Sequence, residues 1–261
     1  MNSQVFDSIQ QWFDVYTRGF ADEQGQLAFV FQIKVDHSRR VAEIMEGLAR
    51  DMGLQDDDVR AAYILGLLHD AGRFSQYAEF HTYNDRQSVN HGIRGMEIMA
   101  AFQVLSAVAP DDRMRIEAGI RQHNDHHLPD NILPFVKMIR DADKLDICRT
   151  MIVMWESGEL LKYPELMFGI NMEGPPNPAA VAELRAGQTI SYGHIKSMAD
   201  FLMTLLSWVY DFNFFVSYRR LKEWRMIEKI VAALPSEAGV KQAAGIAARY
   251  YEQQLQKTAS L

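Results

Sequence analysis

The stretch "LLHDAGRF", residues 67–74, ends an apolar run from Ala61 to Leu68 in an adjacent histidine and aspartate. A carboxylate beside an imidazole at the end of a core segment costs several kcal/mol unless something pairs with it, and a bound cation removes that cost. Further donors recur along the chain. Seven of the eight histidines lie between positions 37 and 127, with His194 apart. His37 shares a helical face with Val41, Ile44 and Leu48, and His69 follows Leu65 by four residues. His91 precedes Gly92 and Gly95, which let a backbone or a ligand come close. His123 follows Ile116 and Ile120 at helical spacing, as Asp143 follows Val136 and Ile139. A single imidazole on an apolar face is ordinarily a hydrogen-bonded core residue, and a single buried aspartate ordinarily a cap or an arginine's partner. Four imidazoles and two carboxylates buried separately incur several desolvation costs at once, whereas one metal site removes them together. Nitrogen and oxygen donors suit Fe, Mn, Ni, Co or Zn, with Mg admissible, and the scarcity of cysteine disfavours structural zinc.

Helices must position these groups. Apolar spacing predicts helices over about 3–18, 28–52, 56–71, 90–107, 111–124 and 133–156, and later over about 194–216 and 217–256. Asp56-Asp57-Asp58 places negative charge at one helix N-terminus, and Gly53 stops the helix before it. Successive helical residues point about 100° apart, so His69 and Asp70 share an ion most easily at a helix end, which Gly72 is expected to supply. Residues 73–89 read as a loop. Gly174-Pro175-Pro176-Asn177-Pro178 is the strongest break, with Asn177 a helix cap and Pro178 the first helical residue. No alternating Val, Ile and Thr suggests a sheet. The expected fold is all-α, a multi-helix bundle: an N-terminal helix over 1–27, a metal-binding core over 28–155, and helices over 156–261 that pack on the core as one continuous domain.

A chain of 261 residues with 48% hydrophobic and 23% charged residues has ordinary globular composition and length enough for a large core. The net charge of −7 argues against broad binding to nucleic acid polymers or anionic membranes, but not against a small phosphorylated ligand in a local positive pocket. The lone Cys148 excludes an internal disulfide framework, the first residues lack a signal-peptide pattern, and Phe201 to Val216 is too short and too interrupted to span a bilayer. A cytoplasmic location is expected, and a homo-oligomer is compatible with all of this.

The order His37, His69-Asp70, then Asp143 within "RDADKLD" resembles the HD-domain superfamily of metal-dependent phosphohydrolases, over at least residues 28–155. The resemblance implies that these four residues hold one metal in a helical bundle. It also implies that His91, in "NHG", and His123, in "RQHN", add a second ion, with Asp70 bridging. Asp141, Asp143 and Asp146 crowd one turn; the superfamily pattern selects Asp143 and leaves the other two as supporting or surface groups. One or two ions remain open, as does the metal.

The implied activity is hydrolysis of a phosphoester or nucleotide by water held at this site, since two cations about 3.5–4 Å apart activate a bridging water and clamp phosphoryl oxygens. Asp70, Lys144 and Arg73 are the catalytic candidates. Arg73 follows the HD turn and Lys144 follows the last ligand, so both are also expected to bind phosphate, although each is equally readable as ordinary surface charge. His126, beside His127 before Pro129, and Lys196, beside Tyr192 and His194 ahead of an apolar helix, are further substrate-binding candidates whose simpler accounts are a solvated helix end and core packing. The same six ligands also resemble the mixed-valent diiron oxygenases of the superfamily, such as myo-inositol oxygenase and phosphonate-cleaving enzymes. A third reading is a ligand-binding module that kept the fold without catalysis.

Overall fold

Asn2 accepts a hydrogen bond from the Val5 N–H and so caps helix α1 (Ser3–Arg18). The computed structural model describes residues 1–125, 129, 131–163 and 170–257. Its packing divides the chain into two units, Met1–Asp146 and Ile147–Leu261.

In the first unit, α1 buries Ile9 and Phe13, and the Phe13 ring meets Phe74 edge-on at 6.2 Å. Helix α2 (Phe29–Asp51) buries the stripe Val41, Met45 and Leu48 together with His37 and Ser38, and Gly53, at φ +74°, ends it. Helix α3 (Asp56–Leu68) is buried at almost every position from Ala61 onward. It packs closely on α2 at Gly66, where an added Cβ would lie 2.6 Å from Ala42 Cα. The chain then breaks at His69-Asp70: Asp70 sits at φ −100°, ψ 14°, the sparsely populated bridge region where many active-site residues are found.

A further helix, α4 (Ala71–Phe80), starts at once. This corrects two expectations. Residues 73–80 are helical rather than loop, because Phe74 is fully buried and the Gln76 amide finds partners at Asp85, Ser88 and Val89. Gly72 does not loosen a helix end. It lies inside α4, where a Cβ would meet the His91 carbonyl oxygen at 2.1 Å. Helix α5 (His91–Ala101), capped by Asn90, is shorter than the spacing suggests, and Gln103 turns the chain at φ +52°. Helices α6 (Pro110–Gln122) and α7 (Pro134–Glu156) follow close to expectation, and the division between the two units falls inside α7.

In the second unit, Asn177 caps α8 (Pro178–Arg185) as predicted, and a Ser197–Asp200 capping box starts α9 (Met198–Ser207). The two long helices expected after residue 194 are instead four: α9, α10 (Phe215–Glu223), α11 (Met226–Ala233) and α12 (Ala238–Lys257). The chain turns through Trp208–Asp211, through Arg225 at φ +54°, and past Leu234-Pro235. The fold is all-α: among the described residues there is no strand, only an isolated bridge between Asn171 and Ser197. None of the described helices is long and apolar enough to cross a membrane.

Candidate metal centre

Six side chains from separate elements of the first unit converge. His37 comes from α2, His69 and Asp70 from the α3–α4 joint, His91 from the start of α5, His123 from the end of α6 and Asp143 from α7. His37, His69, Asp70, His91 and His123 are buried, and the Asp143 side chain is 23% exposed, so it lies on the open side. Two sets, His37–His69–Asp143 and His69–Asp70–His123, each place their donor atoms within 4.8 Å of one another.

Asp70 lies between two groups of nitrogens. Its Oδ2 is 3.6 Å from His37 Nε2 and 3.8 Å from His69 Nε2. Its Oδ1 is 3.5 Å from His91 Nε2 and 3.7 Å from His123 Nε2. Asp143 Oδ1 joins the first group, 3.1 Å from His37 Nε2 and 3.8 Å from His69 Nε2.

The other ring nitrogens are committed. His69 Nδ1 donates to the Gly66 carbonyl at 2.7 Å and His123 Nδ1 to the Ile120 carbonyl at 2.9 Å; a carbonyl only accepts, so the tautomer follows. His37 Nδ1 meets Asp146 Oδ2 and His91 Nδ1 meets Asp85 Oδ2, both at 2.7 Å. Every imidazole therefore turns Nε2 inward, the arrangement metal-ligating histidines adopt. His69 Nε2 is buried with no hydrogen-bond partner, and the 3.1 Å approach of His37 Nε2 to Asp143 is poorly aligned. Orphaned inward nitrogens are costly in a protein interior and are what a metal ion satisfies. Ligand atoms sharing one first-row ion, at about 2.0–2.2 Å each, lie roughly 3–3.5 Å apart, so spacings this close fit the group.

The electrostatics agree. Burial pushes His69 down to about 4, and burial with help from Arg73 pushes His91 down to about 3, so both are neutral and available as ligands. Burial also opposes charge on His37, but the carboxylates of Asp143 and Asp146 outweigh it and raise His37 to about 9. Burial would raise the carboxyls of Asp70 and Asp143, yet the surrounding cations and imidazoles hold both below the usual range.

Of the three aspartates on one turn of α7, Asp143 faces the cluster, Asp146 supports His37, and Asp141 is buried. Arg73 Nη1 donates to Gln76, to the Tyr83 carbonyl and to Asp85, while its Nε lies 3.6 Å from Asp70 Oδ1. Lys144 is half-buried beside Asp143. Lys196 is exposed and lies in the second unit, with its backbone N–H on Asp200. His126 lies outside the described residues, as does His127.

Four contributors escaped the sequence reading. Lys34 Nζ is 2.8 Å from Asp70 Oδ2, Arg40 grips Asp146, Asp85 holds His91, and Asn124 Nδ2 donates to Asp85. Lys34, His37 and Arg40 lie three residues apart on α2, and that spacing was the available signal. Asp85, in a short turn between α4 and α5, carried none.

An all-α unit that gathers four imidazoles and two carboxylates around Asp70 has a donor set that could hold divalent metal. Residues 35–148 match the family model described as HD domain. HD domains are largely metal-dependent phosphohydrolases. No curated protein and no solved structure matches the chain.

Proposed function

We propose that this protein is a phosphohydrolase that cleaves a phosphoester or nucleotide at a site for two divalent ions. His37, His69, Asp70 and Asp143 would hold one ion, and Asp70, His91 and His123 the other. The division of Asp70's two oxygens between two groups of nitrogens carries this reading, because a mononuclear site would leave His91 and His123 without a reason to face inward. When bound, such a pair lowers the pKa of a water and offsets phosphoryl charge. The chain's own work is to aim the six donors, to keep their surroundings dry, and to supply positive charge from Lys144 and Arg73 beside the phosphate. No side-chain nucleophile is required. The N/O donor set accepts Fe, Mn, Ni, Co or Zn.

The test is metal analysis of anaerobically purified protein, followed by phosphate release from a panel of nucleotides and phosphomonoesters. Activity that requires metal and disappears in Asp70→Asn supports the reading. Loaded protein that releases no phosphate but consumes oxygen with iron bound would replace it with the diiron oxygenase reading.

A further inference from the structure

Two matching relays flank the cluster, one on each side of Asp70. On the first, Arg40 Nε and Nη2 donate to Asp146 at 2.6 and 3.0 Å, and Asp146 Oδ2 meets His37 Nδ1 at 2.7 Å. On the second, Arg73 Nη1 donates to Asp85 Oδ1 at 2.8 Å, and Asp85 Oδ2 meets His91 Nδ1 at 2.7 Å. Gln76 and Asn124 complete the hold on Asp85, at 2.9 and 3.0 Å. The remaining imidazoles, His69 and His123, rest on backbone carbonyls within α3 and α6. Each group of nitrogens thus contains one imidazole held by a neutral carbonyl and one held by an arginine-anchored carboxylate.

A carboxylate acceptor fixes the ring and raises the basicity of the opposite nitrogen more than a carbonyl does. We infer that Asp146 and Asp85 are positioning residues that act on separate ions: Asp146, through His37, governs the ion held with Asp143, and Asp85, through His91, governs the ion held with His123. This rests on the two-ion reading above. The two relays stand on different scaffolds. Asp146 is buried on α7, with its side chain 1% exposed, whereas Asp85 sits in a short turn and is 28% exposed. The ion governed by Asp85 also has fewer protein ligands, so it is the first to leave on dilution.

Cobalt(II) titration of the metal-free protein, followed by visible absorption and calorimetry, tests this without any turnover assay. Wild type should load in two phases. Asp85→Asn should weaken only the weaker phase, by about 10–100-fold, the range for partners that orient metal-bound histidines. Asp146→Asn should weaken only the tighter one. Because Asp146→Asn strands Arg40 in a partly buried position, the pair Asp146→Asn with Arg40→Met is measured beside it, and Asp85→Glu should recover part of the loss at its phase. A single ion in wild type, both phases moving together in Asp85→Asn, or neither moving, would overturn the inference. Two phases that shift as described in a protein inactive on every phosphoester would leave it standing and remove the phosphohydrolase reading instead.

Discussion

Nε2 of His91 and Nε2 of His123 lie 2.9 Å apart, deep in the first unit. Each ring commits its Nδ1–H elsewhere, His91 to Asp85 and His123 to the Ile120 carbonyl, so two lone pairs face each other. Lone pairs at that distance repel unless a proton or a metal lies between them, and His91, pushed down to about 3, takes no second proton at neutral pH. His91→Ala and His123→Ala should therefore each remove one ion per chain and leave the other in place. Metal content after gel filtration measures this. Wild-type content in both variants would return the two rings to the role of ordinary core histidines.

Asp70 should behave differently, because its two oxygens face different groups of nitrogens. Asp70→Ala is expected to release both ions while far-UV circular dichroism stays close to wild type. Full metal content in that variant would exclude Asp70 as a shared ligand.

The histidines and aspartates were legible because burial and helical spacing are local properties of a sequence. His37 could be placed from Val41 and Leu48 alone, and the bounds of α1, α2 and α7 follow closely from the apolar period. Helix α4 was not legible: its stability depends on burying Phe74 and on acceptors nine to thirteen residues away for the Gln76 amide. Arg40 and Asp146 are 106 residues apart, and no local pattern announces such a pair. The left-handed Arg225 divides the C-terminal helices without the glycine that would have signalled it.

In the metal-free protein, three imidazoles should set a stability optimum near the ordinary histidine pKa of 6.5. His37, raised to about 9, keeps a proton that the unfolded chain releases. Its contribution is complete below pH 6.5 and is lost as pH rises toward 9. His69 and His91, lowered to about 4 and about 3, work the other way: the unfolded chain takes up protons first, so stability falls as pH drops below 6.5. Urea midpoints in chelator should fall by the equivalent of at least ~1 kcal/mol on either side. A flat profile from acid to alkaline pH would contradict the assigned proton positions.

Gly72 lies where α4 and α5 touch, and an added Cβ would sit 2.1 Å from the His91 carbonyl oxygen and 2.7 Å from Gly95 N. Both atoms are backbone, so the helices must separate. Gly72→Ala should cost about 1–3 kcal/mol, the range for overpacking, and displace His91 along with its share of the metal. Gly239→Ala, within α12, is the control: its Cβ would meet only Val181 Cγ1 of α8 at 3.9 Å, and the change should be neutral or stabilising. Equal effects at the two glycines in thermal denaturation would refute the close-approach argument.

Lys34 places its ammonium 2.8 Å from Asp70 Oδ2, with the two side chains 20% and 5% exposed. The same ammonium lies over the Tyr83 ring, with Nζ 5.3 Å from its centroid. In the metal-free protein this ion pair carries much of the compensation for a buried carboxylate. Removing one partner of such a pair costs about 3–5 kcal/mol, because the remaining charge stays buried and unmatched. Lys34→Met roughly keeps the side-chain length but deletes the charge, and with it the ammonium's contact with the Tyr83 ring. It should therefore destabilise the metal-free form by about 3 kcal/mol. A divalent ion at Asp70 supplies positive charge of its own, so the same substitution should cost much less in the loaded form. By linkage, the difference between the two costs is a gain in metal affinity, tenfold for each ~1.4 kcal/mol. Urea denaturation with and without metal, alongside direct calorimetry of metal binding, measures both sides of that cycle. Equal destabilisation of the two forms, with unchanged affinity, would show that Lys34 supports the fold without competing for Asp70.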